Sequence, residues 1–122
     1  MQNVSNMENM DAEALKKSVP HVVVEIIEYV PNAVVSRTIM KRLTGNITAL
    51  SFDAGEEIGE KRSPFDTYIQ IIDGSAQVII SGVKNELKLG QGIIIPAHAS
   101  HFFFADQQFK MLSTIIKSGY ED

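Results

Sequence analysis

The stretch that most constrains the fold is residues 90–101, GQGIIIPAHASH. Its two closely spaced glycines do not continue a helix, and the three consecutive isoleucines are β-branched and apolar. Pro96 then ends backbone pairing at the far end of the run. The pattern predicts a turn, a short buried strand and a bend, followed by His98 and His101. Because both histidines follow a strand that leaves the core, they are the first candidates for a site in the mouth of a barrel.

Composition narrows the class of protein. The chain of 122 residues has a single-domain length and contains no cysteine, which excludes disulfides, thiolate metal sites and cysteine nucleophiles. Its net charge is −4 and it has no lysine- or arginine-rich run, so we expect no nucleic-acid partner. Because no apolar run reaches membrane length and the first residues lack a signal-peptide pattern, we expect no membrane partner and a soluble, cytoplasmic protein.

The first thirty residues divide into two parts. Residues 1–20 predict an arm with one short helix, because SNME at residues 5–8 has capping-box spacing and Pro20 stops the helix. Residues 21–30 are apolar on both faces of a strand except at two glutamates, so we expect a strand that is covered on both sides. This surplus strand surface predicts an unpaired edge that joins a second chain in a homodimer. The expected domains are the arm, 1–20, and a barrel, 21–122.

The rest of the chain alternates between short apolar runs and turn signals. Asp73-Gly74 is a hairpin signal, Ser81-Gly82 marks another turn, and the last run covers residues 109–116. The turn signals recur at a spacing of about eight to twelve residues, and helical patterns are nearly absent. The pattern predicts an all-β sandwich or barrel.

Two motifs carry a family resemblance. They contain Gly55, PFD at residues 64–66 and YIQIIDG at residues 68–74, then Gly90, five residues, Pro96 and a final His101. In order and spacing they resemble the two consensus motifs of the cupins, over roughly residues 47–116. The chain is similar to small single-domain bacterial cupins of the cupin 2 type. The resemblance implies an all-β jelly-roll barrel, the double-stranded β-helix, with a pocket inside it, and it also implies a dimer.

The resemblance does not extend to the metal ligands. Metal-binding cupins hold a divalent first-row ion with three histidines and one carboxylate. The corresponding positions here are Lys61, Ser63, Thr67 and His101, so only the last histidine is present. One imidazole does not hold such an ion, and a lysine adds positive charge beside it. We therefore predict no metal and no other cofactor.

One alternative keeps a partial metal site. His98 and His101 would form a two-nitrogen clamp, with Asp66 or Glu60 adding an oxygen ligand.

Five residues are candidates for a ligand site without metal. His101 occupies the family's pocket-facing position, although a buried and inert histidine is the alternative. Lys61 is either a surface lysine or a cation inside the barrel, and Phe103 shares the face of His101. His98 and Tyr68 are further candidate contacts.

Three functions are compatible with these residues. The first is a small-molecule-binding protein whose ligand is anionic or hydroxylated. The second is a metal-independent isomerase or epimerase with His101 as general base, assisted by Lys61 or Tyr68. The third is a scaffold or assembly protein. A deep, polar-lined cavity favours the first two, and a barrel filled by Ile, Phe and Met favours the third.

Overall fold

The computed structural model describes residues 14–119, which form nine β-strands and one short 3₁₀ turn at Val23–Glu25. The all-β prediction is confirmed. The strands are β1 (Val34–Arg42), β2 (Gly45–Phe52), β3 (Glu57–Lys61), β4 (Thr67–Gly74), β5 (Ala76–Ile80), β6 (Val83–Leu87), β7 (Gly92–Ile95), β8 (His101–Phe104) and β9 (Phe109–Ile116).

The strands form two antiparallel sheets that face each other. The five-stranded sheet has the order β1-β2-β9-β4-β7, and the four-stranded sheet has the order β3-β8-β5-β6. Inside-outside alternation is clearest in β4, where Thr67, Ile69 and Ile71 are buried while Tyr68 and Gln70 are exposed. Gly74 ends β4 with a positive φ of 71°, and a Cβ there would collide with the Gln108 carbonyl, so this turn requires glycine.

The main core lies between the sheets and is densest at one end. Phe52, Val78, Ala105 and Phe109 are each 0% exposed, and we call them the packed end. The rings of Phe52 and Phe109 stack with centroids 4.3 Å apart. Phe103 lies beside this group, with its ring centroid 6.2 Å from that of Phe52.

Residues 21–30 are not the strand that their apolar pattern predicts. They contain the 3₁₀ turn and belong to a segment, residues 21–33, that lies on the outer face of the five-stranded sheet; we call this segment the strap. Ile26 and Ile27 are buried there with Ala49 of β2, and Leu112 of β9 packs against them. The apolar run therefore covers a sheet rather than joining one. The homodimer prediction loses the strand edge on which it rested and stays a prediction.

Side chains of the sheet hold the strap by its backbone. Side-chain donors of the sheet bind backbone carbonyls of the strap that would be paired with a neighbouring strand if the strap were a strand. These carbonyls therefore have hydrogen-bond partners although the strap joins no sheet. The bonds run from Arg37 to Ile26 (3.0 Å), from Ser51 to Glu28 (2.8 Å) and from the Lys110 ammonium to Val24 (2.7 Å). Tyr29 adds a bond from its hydroxyl to Asp73 at 2.6 Å. Burial, together with this bond and the charge of Asp73, raises the pKa of the Tyr29 hydroxyl.

The N-terminal arm differs from its prediction where it is described. Residues 14–20 contain a turn and no helix, and the Leu15 amide donates to the Ile39 carbonyl at 3.1 Å. The predicted capping box at residues 5–8 lies outside the described residues, and the division at residue 20 stays a prediction. Over residues 14–119, no helix is long and apolar enough to span a membrane.

Candidate functional site

A cavity of about 180 Å³ lies between the two sheets, and none of the packed-end residues line it. Phe103 separates the two regions, since it packs against Phe52 on one side and lines the cavity on the other. Leu50, Ile69 and Met111 line the cavity from the five-stranded sheet. Its polar lining residues are Lys61, Arg62, Ser63, Thr67, His101 and Ser113.

Strand register explains why Lys61 and His101 meet at this cavity. They are directly opposite each other in the antiparallel pair of β3 and β8, so both side chains lie on the same face. On β8, His101 and Phe103 are buried, whereas Phe102 and Phe104 are only half-buried and alternate with them. The predicted shared face of His101 and Phe103 is therefore present, with ring centroids 5.8 Å apart.

His101 is fixed in one orientation. Its side chain is 9% exposed, and its Nδ1 lies 3.1 Å from the Ala99 carbonyl oxygen. Because a carbonyl only accepts, this bond requires the proton on Nδ1. The neutral ring then carries its lone pair on Nε2, the nitrogen free for a ligand.

The rim of the cavity is cationic. The exposed Lys61 ends β3, and its side chain has no hydrogen-bond or ion-pair partner among residues 14–119. Arg62 follows it in the chain and also lines the cavity, and its guanidinium donates to the His98 carbonyl at 2.9 Å. No Asp or Glu of the described chain lines the cavity, so these charges are not neutralised within it.

Three hydroxyl residues, Ser63, Thr67 and Ser113, complete the polar side, and the Ser63 hydroxyl already accepts a hydrogen bond from the Phe65 amide at 3.2 Å. Thr67 of β4 is only 7% exposed, and Ser113 of β9 is half-buried. Within the described part of the chain, neither hydroxyl has a hydrogen-bond partner. Sequence reasoning considered Thr67 only as a lost metal ligand and overlooked Ser113 and Arg62. A signal in the sequence could have identified Ser113, because it is a polar residue at an inward position of an otherwise apolar strand face.

The structure corrects two predicted ligand contacts. His98 is exposed at the bend after Pro96 with a positive φ of 71°, its amide donates to the Ser63 carbonyl at 2.6 Å, and its side chain does not line the cavity. Tyr68 follows Thr67 on β4 and therefore points to the outer face, where it is 43% exposed. It is wrong as an assisting group for His101.

The residues present do not fit the metal of the family pattern. Lys61, Ser63, Thr67 and His101 do line one cavity, but they supply a cation, two hydroxyls and a single imidazole. Among residues 14–119, no group of three or more His, Asp or Glu side chains could hold an ion. The alternative clamp also fails geometrically, because only one of its two histidines faces the cavity.

Comparison with known proteins gives structural neighbours only. No family model and no curated protein matches the sequence. A protein of unknown function from Streptococcus pyogenes is 28% identical, with a TM-score of 0.81, and the match covers 86% of this chain and 92% of that one. A cupin superfamily protein from Desulfitobacterium hafniense is 27% identical, with a TM-score of 0.79 and coverage of 84% and 94%.

A third neighbour agrees with these two. The cupin 2 conserved barrel domain protein from Leptotrichia buccalis is 26% identical, with a TM-score of 0.75, and the match covers 77% of this chain and 46% of that one. The resemblance read from the glycine, proline and histidine motifs is confirmed, and so is the cupin barrel as the fold.

Proposed function

We propose that this cupin barrel is a small-molecule-binding protein that holds an anion in its cavity without a metal ion. His101 and Lys61 are its polar contacts. The observation that carries the proposal is their cross-strand pairing at the rim of a cavity that no described acidic residue lines. A carboxylate or phosphate there accepts charge-assisted hydrogen bonds from the lysine, and from His101 when its ring is protonated.

The hydrogen-bonding capacity of the lining supports a ligand. Thr67 and Ser113 both line the cavity with hydroxyls that make no hydrogen bond within residues 14–119, so both are available to a bound molecule. A ligand, or water in its absence, supplies their partners. The packed end shows that this chain can fill a barrel with aromatic and aliphatic groups, so the polar lining is not required for folding.

The experiment is a thermal-shift screen of small carboxylates, phosphates and sugars on the wild-type chain, His101→Ala and His98→Ala. Binding to the native state raises stability by about 2.7 kcal/mol at a ligand concentration of 100 times Kd. We expect anions to raise the melting temperature of the wild type and of His98→Ala but not of His101→Ala. Equal shifts in all three proteins, or no shift in any, would contradict the proposal.

A second candidate function is a metal-independent isomerase or epimerase that uses His101 as general base. The bond from Nδ1 to Ala99 supports it, because it leaves the Nε2 lone pair available to accept a proton, with Lys61 as the assisting group. Enzymes occur among more distant neighbours, such as a salicylate 1,2-dioxygenase from Pseudoaminobacter salicylatoxidans at 18% identity, but such identity concerns the fold alone. Incorporation of deuterium from D₂O into a carbon acid, absent in His101→Gln, would favour this function.

The third candidate is a scaffold or assembly protein, and the homodimer is part of it. The outer face of the five-stranded sheet carries one register row across all its strands, Met40, Ile47, Thr114, Tyr68 and Ile94. Its two ends are exposed and apolar, with Met40 at 44% and Ile94 at 63%. We propose that a second copy covers this row. Light scattering at micromolar concentration should give twice 13.5 kDa, and Ile94→Asp should give the monomer mass; a monomeric wild type would exclude the dimer.

A further inference from the structure

We infer that the ligand is an apolar monocarboxylate whose hydrocarbon body enters the cavity first and whose carboxylate stays at the rim. This inference rests on the proposed anion-binding function and narrows it. It excludes sugar acids and other polyhydroxylated acids, which the anion proposal alone would admit.

The first argument is that polarity in the cavity is segregated along the strands. Inward residues of β9 begin with the buried Phe109, continue with Met111 and Ser113, and end with Ile115, which also lines the cavity. On β8, Phe103 lies next to the packed end and His101 lies two residues further from it. The floor is therefore apolar, whereas the hydroxyl and imidazole groups lie towards the rim, where Ile95 and Ile115 are their apolar neighbours.

The second argument concerns hydrogen bonding at the floor. Leu50, Ile58, Phe103 and Met111 offer no polar side-chain atom apart from the weakly accepting thioether. Neighbouring backbone groups of β2 and β9 are paired with each other in the ladder. A ligand hydroxyl placed there would lose its water partners without replacement, whereas a methylene would gain contacts.

The third argument is the position of the charges. Lys61 and Arg62 both lie at the rim, and the bond from Arg62 to the neutral His98 carbonyl leaves its positive charge in place. The cationic side is therefore one end of the cavity, which matches a ligand with its carboxylate at one end. A second carboxylate at the other end of the ligand would be buried against the floor, where no cation lines the cavity.

Size sets the length of the body. An apolar cavity of about 150 Å³ holds a benzene molecule. The cavity here measures about 180 Å³, so it accommodates a body of about five to six carbons. Each methylene buried before that limit should tighten binding by about fourfold.

The test is calorimetric titration of the wild type with straight-chain carboxylates from acetate to octanoate. Affinity should rise by about fourfold per methylene up to about hexanoate and then level off or fall. Three six-carbon controls separate the features: gluconate carries hydroxyls, adipate carries a second carboxylate, and hexan-1-ol carries no charge. Each should bind at least tenfold more weakly than hexanoate.

A cavity-filling variant checks where the body lies. Ile58 is half-buried on the edge strand β3 and lines the floor, so Ile58→Phe adds volume with little demand on the core. The optimum should move to a shorter carboxylate in this variant. If the variant does not fold, the wild-type series alone decides.

The outcomes distinguish the inference from the function on which it rests. If neither inorganic phosphate nor any carboxylate binds, the anion-binding function fails and the inference fails with it. If gluconate or phosphate binds as tightly as hexanoate, or if affinity is independent of chain length, anion binding stands and the apolar ligand class is overturned.

Discussion

The two halves of the barrel interior are built from the same strands but from different chemistry. At the packed end, Phe52 and Phe109 stack and are fully buried. Beyond Phe103 the strands enclose a cavity in which Thr67 has no hydrogen-bond partner among the described residues. Close packing stabilises a fold, whereas a cavity forfeits the contacts that side chains would make there. The difference indicates that one half stabilises the barrel and the other is available for binding.

The largest effect should come from the packed end. Phe109→Ala removes a ring that is 0% exposed and stacked on Phe52, so we expect a loss of about 3–5 kcal/mol in the free energy of unfolding. Phe102→Ala is the matched control, because that side chain is only half-buried on the opposite face of β8. Urea titration measures both variants. Equal losses of unfolding free energy in the two variants would contradict the claim that the packed end contributes more stability than half-buried positions.

A smaller effect of opposite sign should come from the cavity. Thr67→Val replaces an unbonded hydroxyl by a methyl group of similar shape, so stability should stay unchanged or rise by up to about 1 kcal/mol. Ligand binding should weaken at the same time. Ser51→Ala is the control: that hydroxyl donates to the Glu28 carbonyl, and its loss should cost about 1 kcal/mol. A destabilised Thr67→Val would mean that its hydroxyl supports the fold.

The smallest effect should be a pH dependence at the packed end. Asp53 follows Phe52, and the Asn32 amide, the Gln108 side chain and the Ala54 amide hold the pKa of its carboxyl below the ordinary value. Because the folded-state pKa is the lower one, this contribution is present above the unfolded-state pKa and is lost as pH falls through the folded-state value. Chemical denaturation at pH 6 and pH 3 should show a smaller acid-induced loss in Asp53→Asn than in the wild type. Identical losses would contradict this role.

The sequence predicted the strands and turns better than it predicted which segments leave the barrel. Alternation and turn residues such as Asp73-Gly74 are local, so they identified β4 and β5 correctly. The strand predicted for residues 21–30 was wrong, because an apolar segment that covers a sheet has the same composition as a strand that is covered on both faces. Only the donors that reach the strap carbonyls from Arg37, Ser51 and Lys110 distinguish the two, and those contacts are distant in sequence.

The candidate site was predictable in part for the same reason. His101 and Phe103 were assigned to one face by alternation, which holds within a short regular strand. Alternation could not assign a face to His98, because His98 itself has a left-handed backbone conformation at the bend after Pro96. Alternation marks Ser113 as an inward residue of β9, but its place at the cavity follows only from the pairing of β9 between β2 and β4.

The central claim is that the rim of the cavity holds a carboxylate between Lys61 and His101. A crystal structure of the chain grown with hexanoate tests it most directly. The account predicts a carboxylate oxygen within about 2.7–3.2 Å of the Lys61 ammonium, or of Nε2 of a protonated His101, with the hydrocarbon chain against Phe103 and Met111. Hexanoate bound with its carboxylate away from both residues, or a cavity that contains only ordered water at saturating hexanoate, would contradict it.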